Sequence, residues 1–221
     1  MPTFTTVFLD VDDTLYPSSS GVWQAIGQRI NHYMQERLGI PSDTVRAIRD
    51  EYFQTYGTTL NGLIANFGVD PSDYLRFVHD IPIEKMLQPD PELRSMLEGI
   101  PQQRVVLTNA SRAHAERVMR RLGICEVIDR VIDILDLEMT NKPLPEAYLR
   151  ALTLVGEADA AACVAVDDML ANLETAHNLG MTTVLVAGDG EGPVVDHRIT
   201  RLAELAGAVP GLGARRSSGA V

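Results

Sequence analysis

The chain has 221 residues, with 30 Asp plus Glu against 19 Lys plus Arg and a formal net charge of −11 at neutral pH, a sign that disfavours nucleic-acid polymers and anionic membrane surfaces as partners. Hydrophobic residues make up 45% and charged residues 22%, the balance of an ordinary globular protein with apolar mass for a real core, and this excludes disorder of the whole chain. No apolar run approaches the ~18 residues of a bilayer span, and Met1 to Asp10 lacks a signal-peptide pattern, so no membrane partner is expected and the expected compartment is cytoplasmic.

Phe4 to Leu9 is β-branched and aromatic and runs straight into Asp10, which predicts a strand buried on both faces. From Gly21 to Gly39 the residues Val22, Ile26, Ile30, Met34 and Leu38 recur every four positions, the period of an amphipathic helix, with Trp23 and Tyr33 placed on the same packed stripe. A second helix is predicted after Ser42 as N-cap, through Val45, Ile48, Phe53 and Tyr56 to Gly57. Shorter helices follow over Thr59 to Phe67 and Pro71 to His79, and nothing between Tyr16 and Gln88 alternates like a strand.

After Pro89 helices and strands alternate. Helices are predicted over Pro91 to Leu97, Ser111 to Leu122, Pro145 to Leu154 and Met169 to Leu179. Strands are predicted over Arg104 to Thr108, Val131 to Leu135, Cys163 to Val166 and Thr182 to Val186. Cys125 and Cys163 form no CxxC pair and read as small apolar residues. The Gly-, Ala- and Ser-rich tail from Ala206 is expected to fray. Repeated βα units imply an α/β fold, a Rossmann-like, mostly parallel sheet core with an inserted all-α cap domain. The division expected is a core of residues 1–15 and 89–221 and a helical cap of residues 16–88. An insertion just after the first strand sits over the carboxyl ends of the strands, where open α/β sheets bind ligands.

Carboxylates concentrate at those ends. Asp10, Asp12 and Asp13 crowd the turn after the first strand (FLDVDDTLY), and Asp167 and Asp168 follow another (VAVDDMLAN). Like charges this close raise one another's pKa and do not all ionise cheaply without a cation. Oxygen ligands and the lack of zinc spacing among His and Cys make Mg²⁺ the first choice. Either cluster alone reads equally well as N-caps and turn formers; two clusters at strand ends point to a site. Thr108-Asn109 end a further strand, Ser111 caps the helix that follows, and Lys142 stands before Pro143 in a loop. A helix N-terminus of this kind suits a phosphoryl group.

That order resembles the haloacid dehalogenase (HAD) superfamily of phosphohydrolases, with a C1 helical cap. It is most similar to the pyrimidine 5'-nucleotidase-like subgroup through LDVDDTLYP, YGTTLNGL, LTNASRAHA, KPLPEAY and DDMLANL, with Leu144 where relatives often carry Asp. The resemblance implies Asp10 as nucleophile and metal ligand. It implies Asp12 as acid, then base, and as a backbone-carbonyl ligand. Thr108 and Asn109 would hold phosphoryl oxygens, Lys142 would screen charge, and Asp167 and Asp168 would bind Mg²⁺. Asp13 and Thr14 would shape the turn. The second aspartate, Asp12, argues for phosphoryl chemistry, since the superfamily's dehalogenases lack it.

Specificity is expected in the cap, where Tyr56, Gly57, Thr58 and Thr59, with Asn61 beside them, face the active site in the subgroup. An equal alternative makes Gly57 a helix C-cap and the threonines a helix start. His114 is expected on the helix surface or in packing. The leading reading is a Mg²⁺-dependent phosphomonoester hydrolase for a small phosphorylated metabolite, with a pyrimidine nucleoside 5'-monophosphate as favoured guess. Alternatives are a sugar or other metabolite phosphatase, a phosphomutase, a receiver-like signalling module, and a helical scaffold. Oligomeric state stays open.

Overall fold

A computed structural model of the chain describes residues 4–187 and 193–213. Among these residues six strands form one sheet: β1 (Thr6–Leu9), β2 (Gln103–Leu107), β3 (Arg130–Ile132), β4 (Cys163–Asp167), β5 (Thr182–Val186) and β6 (His197–Ile199). Their order is β3-β2-β1-β4-β5-β6, and every neighbouring pair is parallel. β1 is central, with Leu9 registered against Val106 on one side and Val166 on the other. All four of its residues, Thr6 included, are buried, as befits a parallel strand covered on both faces.

The strand order reverses at β1. The chain first steps outward through β2 and β3, then crosses to the other side for β4, β5 and β6. Connections leave both ways from the same carboxyl edge, so a crevice opens there between β1 and β4. Asp10 and Asp167 occupy that crevice.

Side chains alternate along the strands. Val7, Leu9, Val106, Val164 and Val166 pack to one face, with Leu93 and Leu97 of α6 (Pro91–Glu98) and Val118 and Leu122 of α7 (Arg112–Leu122). Phe8, Val105, Leu107, Ala165 and Leu185 pack to the other, against Ala147, Tyr148 and Ala151 of α8 (Pro145–Val155) and Leu173 and Ala176 of α9 (Leu170–Asn178). Between β1 and α6, among the described residues, run five α-helices: α1 (Val22–Glu36), α2 (Val45–Tyr56), α3 (Thr59–Phe67), α4 (Pro71–Val78) and α5 (Ile83–Met86). The result is an α/β fold with a Rossmann-like sheet and an all-helical insertion after its first strand.

Several local expectations are corrected. Trp23 lies in the first turn of α1 and is 48% exposed rather than packed. Phe53 is also exposed, and α2 starts at Val45 after a turn in which Thr44, not Ser42, occupies the cap position. Strand β3 ends at Ile132 because Oδ1 of Asp133 accepts hydrogen bonds from the backbone N–H of Leu135 and Asp136, which turns the chain. The tail does not fray at Ala206: α10 (Leu205–Ala208) forms, and Leu205, Val209 and Leu212 are buried in the core, while residues 214–221 lie outside the described ones. Cys125 and Cys163 are both free. No helix among the described residues is long and apolar enough to cross a membrane.

Within the insertion, α2 and α3 approach so closely that a Cβ on Gly62 would sit 2.3 Å from the Tyr52 ring. Tyr52 is itself buried, so its ring has no free volume to move into. Gly62→Ala is expected to destabilise the protein by about 1–3 kcal/mol, read from its thermal melting midpoint.

Candidate active site

The turn after β1 positions the first carboxylates. The backbone N–H of Asp10 donates to Val166 O (3.0 Å), so the chain stays beside β4 for one residue past the strand. It then closes tightly, with the N–H groups of Thr14 and Leu15 both donating to Val11 O (3.3 and 2.9 Å). Asp13 sits in the left-handed region (φ 59°), which an Asp tolerates far better than a β-branched residue. Thr14 Oγ1 lies a long 3.5 Å from Asp168 Oδ1, which ties this turn loosely to the one after β4.

Lys142 reaches the same point from the loop after β3. Its peptide is clasped by Asn109, whose Oδ1 accepts from Lys142 N (2.8 Å) and whose Nδ2 donates to Lys142 O (2.9 Å). Asn141 Nδ2 adds a second bond to the same carbonyl (2.7 Å). With its backbone held, the Lys142 side chain, 3% exposed, donates from Nζ to Asp10 Oδ1 (2.8 Å) and Asp167 Oδ2 (2.6 Å). Asp167 is fixed in turn by Asn172 Nδ2 (2.9 and 3.0 Å to its two oxygens) and by the N–H of Met169 (2.9 Å). The Tyr148 hydroxyl donates to Asn172 O (2.9 Å) and anchors that asparagine.

Burial and crowding set the charges. Burial pushes Asp10 well above the usual carboxylate range, and Asp167 and Asp168 push the same way against the pull of Lys142. Burial opposes the charge on Lys142, but Asp10 and Asp167 outweigh it and hold the ammonium above its ordinary value. Burial, then Asp167 and Asp13, raise Asp168 to about 7. Oxygens of Asp10, Asp167 and Asp168 all lie within 4.8 Å of one another. Three carboxylates against one ammonium leave a local excess of negative charge, and this all-oxygen donor set fits a hard divalent cation.

Asp12 faces a different set of groups. Its Oδ1 accepts from the Tyr16 hydroxyl and lies 2.7 Å from His114 Nε2. A carboxylate only accepts, so the imidazole supplies the proton from Nε2. Burial would raise the Asp12 pKa, but His114 and Tyr16 outweigh it and hold the group below its ordinary value. The His114 ring is stacked on that of His79, with centroids 4.3 Å apart and planes 18° from parallel. His79, at the C-terminal end of α4, is also 3.0 Å from Ser111 Oγ through Nδ1.

His114 is therefore not a helix-surface residue: its side chain is fully buried and packs against His79, but it also bonds to a predicted catalytic group. The available signal was its place on the buried stripe of α7 with Val118 and Leu122. Tyr16, His79, Tyr148 and Asn172 are further neighbours of the site with no recognisable spacing of their own.

The predicted substrate contacts divide. Thr108 is buried, and its Oγ1 accepts from the N–H of Ala110 (3.0 Å), shaping the turn before α7. Both polar ends of the Asn109 side chain hold Lys142, as described above. Gly57 is a left-handed C-cap of α2 and Thr58 the N-cap of α3, its side chain accepting from Asn61 N. Thr59 opens α3, and the Tyr56 hydroxyl accepts from Asn66 Nδ2 (3.2 Å), inside the insertion. The stretch nevertheless abuts the Lys142 loop. Asn61 Nδ2 donates to Asn141 Oδ1 (2.8 Å) and Met139 O (3.0 Å), and a Cβ on Gly57 would collide with Asn141 at 2.3 Å.

Residues 4–180 match the family of haloacid dehalogenase-like hydrolases, and the chain belongs to that family. Phosphate metabolism protein 8 of Saccharomyces cerevisiae is 28% identical over 192 residues, 80% of this chain. The chain spans 60% of the length of that relative. A HAD phosphatase from Thermococcus onnurineus shares the fold with a TM-score of 0.62 and 20% identity, covering 93% of this chain and 97% of the other. The L-2-haloacid dehalogenase of Xanthobacter autotrophicus superposes with a TM-score of 0.57 at 16% identity, over 92% and 97% of the two chains.

The buried His79 gives a pH test. Burial, reinforced by His114, lowers it from the ordinary 6.5 to about 3, so the folded protein keeps it neutral where the unfolded chain takes up a proton. Its contribution to stability is complete above pH 6.5 and is lost as pH falls toward 3, at up to about 1.4 kcal/mol per pH unit. Urea unfolding at pH 7 and pH 5 is expected to show a larger acid loss for the natural chain than for His79→Gln.

Proposed function

We propose that this chain is a Mg²⁺-dependent phosphomonoester hydrolase that works through an aspartyl-phosphate on Asp10. The observation that carries the reading is the pairing of Lys142 Nζ with both Asp10 and Asp167 at the switch point of the sheet, with Asp12 held apart on its own donors. Residues 1–15 and 89–221 are assigned to the catalytic core and residues 16–88 to a C1-type cap.

An Asp10 carboxylate oxygen attacks phosphorus in line, and the bond from phosphorus to the ester oxygen breaks. Asp12 gives its proton to that leaving oxygen. In the second half a water attacks the aspartyl-phosphate, Asp12 takes the water's proton, and the bond between Asp10 and phosphorus breaks to release phosphate. The proton gained in one turnover is the proton given in the next, so acid and base roles close on one residue. Hydrogen bonds that favour the Asp12 carboxylate suit its role as base.

Lys142 offsets charge on Asp10 as the phosphoryl group approaches, and Thr108 and Asn109 line the approach of the phosphoryl oxygens. Asp10, Asp167, Asp168 and the Asp12 carbonyl would hold Mg²⁺, which when bound supplies a Lewis acid for the phosphoryl oxygens and offsets the carboxylate charge. The substrate is assigned to small phosphorylated metabolites. A pyrimidine nucleoside 5'-monophosphate is favoured, on the resemblance of the chain to the pyrimidine 5'-nucleotidase-like subgroup. Gly57, Thr58 and Thr59, with Tyr56 before them, are assigned to selection of the leaving group, since their loop contacts the loop that carries Lys142.

Phosphate release from p-nitrophenyl phosphate is expected with Mg²⁺ and is expected to stop in EDTA. Asp10→Asn should lower turnover by at least about 10³-fold. Its melting temperature should be unchanged or higher, because one of three crowded carboxylates is neutralised. Retained turnover by this variant overturns Asp10 as nucleophile. A screen over UMP, CMP, AMP, sugar phosphates and glycerol phosphate should favour the pyrimidine nucleotides; a flat profile overturns the nucleotide assignment and leaves the hydrolase standing.

A further inference from the structure

Asp12 must stand in one place for two steps, yet a free aspartate side chain rotates about two bonds even on a tight turn. The structure supplies a clamp. Oδ1 accepts from two donors, the Tyr16 hydroxyl and His114 Nε2, which come from different elements. A carboxylate anchored at one oxygen by two donors has its plane fixed, which leaves the second oxygen to exchange a proton in a defined direction.

His114 is built for this single contact. Its side chain is fully buried, and Nδ1 is buried with no hydrogen-bond partner among the described residues. Nε2 is thus its one polar engagement, and a ring protonated at Nε2 leaves only an acceptor unmatched, the less costly orphan. The ring's other support is the stack on His79, and His79 is pinned in turn. Its Nδ1 lies 3.0 Å from Ser111 Oγ, and its carbonyl accepts from Arg117 Nη1 (3.0 Å). Arg117 also donates to Ile81 O (2.9 Å) and pairs with Glu84 (2.9 Å), so α7 grips the chain between α4 and α5. The stack therefore joins the helical insertion to the sheet core beside the reacting groups.

We infer that His114, backed by His79 and assisted by Tyr16, is a positioning residue that orients the Asp12 carboxylate for proton transfer at the leaving oxygen. The inference rests on the phosphomonoester hydrolase reading, in which Asp12 is the acid and base. It makes His114 matter in proportion to how much help the leaving group needs. An alkoxide departs poorly without a proton, whereas p-nitrophenolate departs readily. A loss of Asp12 orientation falls chiefly on the first kind of substrate, while general disruption of the fold falls on both alike.

The test uses the full chain with Mg²⁺ and compares kcat/KM for UMP, whose leaving group is an alkoxide, and p-nitrophenyl phosphate, since that ratio reports steps through departure of the leaving group. His114→Phe keeps an aromatic ring against His79 and removes the donor. It is expected to lose at least about tenfold more activity on UMP than on p-nitrophenyl phosphate, within the 10²–10⁴-fold range of general acid catalysis. His114→Gln, which restores an N–H donor, is expected to recover part of the difference. Tyr16→Phe removes the other donor at nearly constant volume and should show the same bias, which keeps the test open if His114→Phe does not fold. Equal losses on both substrates, or no loss on either, overturn the inference while the natural chain's turnover sustains the hydrolase. A natural chain that releases phosphate from neither substrate overturns both.

Discussion

The structure depends on one buried cation. Lys142 Nζ holds Asp10 from the end of β1 and Asp167 from the end of β4 at 2.8 and 2.6 Å, in a crevice where the lysine is 3% exposed. Without it the sheet edge would bury adjacent carboxylates with no counter-charge, an arrangement that either unfolds or protonates. Much of the surrounding polar structure serves to deliver this ammonium. Asn109 and Asn141 fix its backbone, Asn172 fixes the carboxylate it meets, and Tyr148 fixes Asn172. The one lysine does not balance all three carboxylates, and that residual charge is what makes the site a fit for a divalent cation.

The two aspartates of the first turn are separated chemically although they are two residues apart. Asp10 is governed by burial and by its carboxylate neighbours, which push its pKa up, and Asp12 by His114 and Tyr16, which hold its pKa down. Groups driven in opposite directions by their surroundings are suited to different roles in one reaction. The helical insertion contributes to both surroundings. Asn61 braces the Lys142 loop through Asn141, and His79 braces His114. The insertion is thus part of the site's scaffold.

Much of the candidate site was legible in the sequence because strand-end aspartates carry a local signature: an apolar β run followed at once by Asp. Asp10 and Asp167 announce themselves in this way, Asp12 and Asp168 lie within two residues of them, and Lys142 is singled out by its order relative to them. His114, Tyr16 and Asn172 carry no such mark. Each is an ordinary residue of its own element, and its partner comes from a different part of the chain. The misread tail has a simple cause: composition suggested fraying, while the spacing of Leu205, Val209 and Leu212 matches the apolar face that the core covers.

The sequence by itself determined the alternation of strands and helices, the place of the helical insertion and the identity of the strand-end carboxylates, because these are local patterns of hydrophobicity and charge. The tertiary structure alone decided which strand ends meet. β1 and β4 become neighbours through the reversal of strand order, so Asp10 and Asp167 share one ammonium although most of the chain lies between them. It also decided that His114 faces Asp12, since a hydrogen bond between distant segments is set by how the layers pack and leaves no periodicity in either segment.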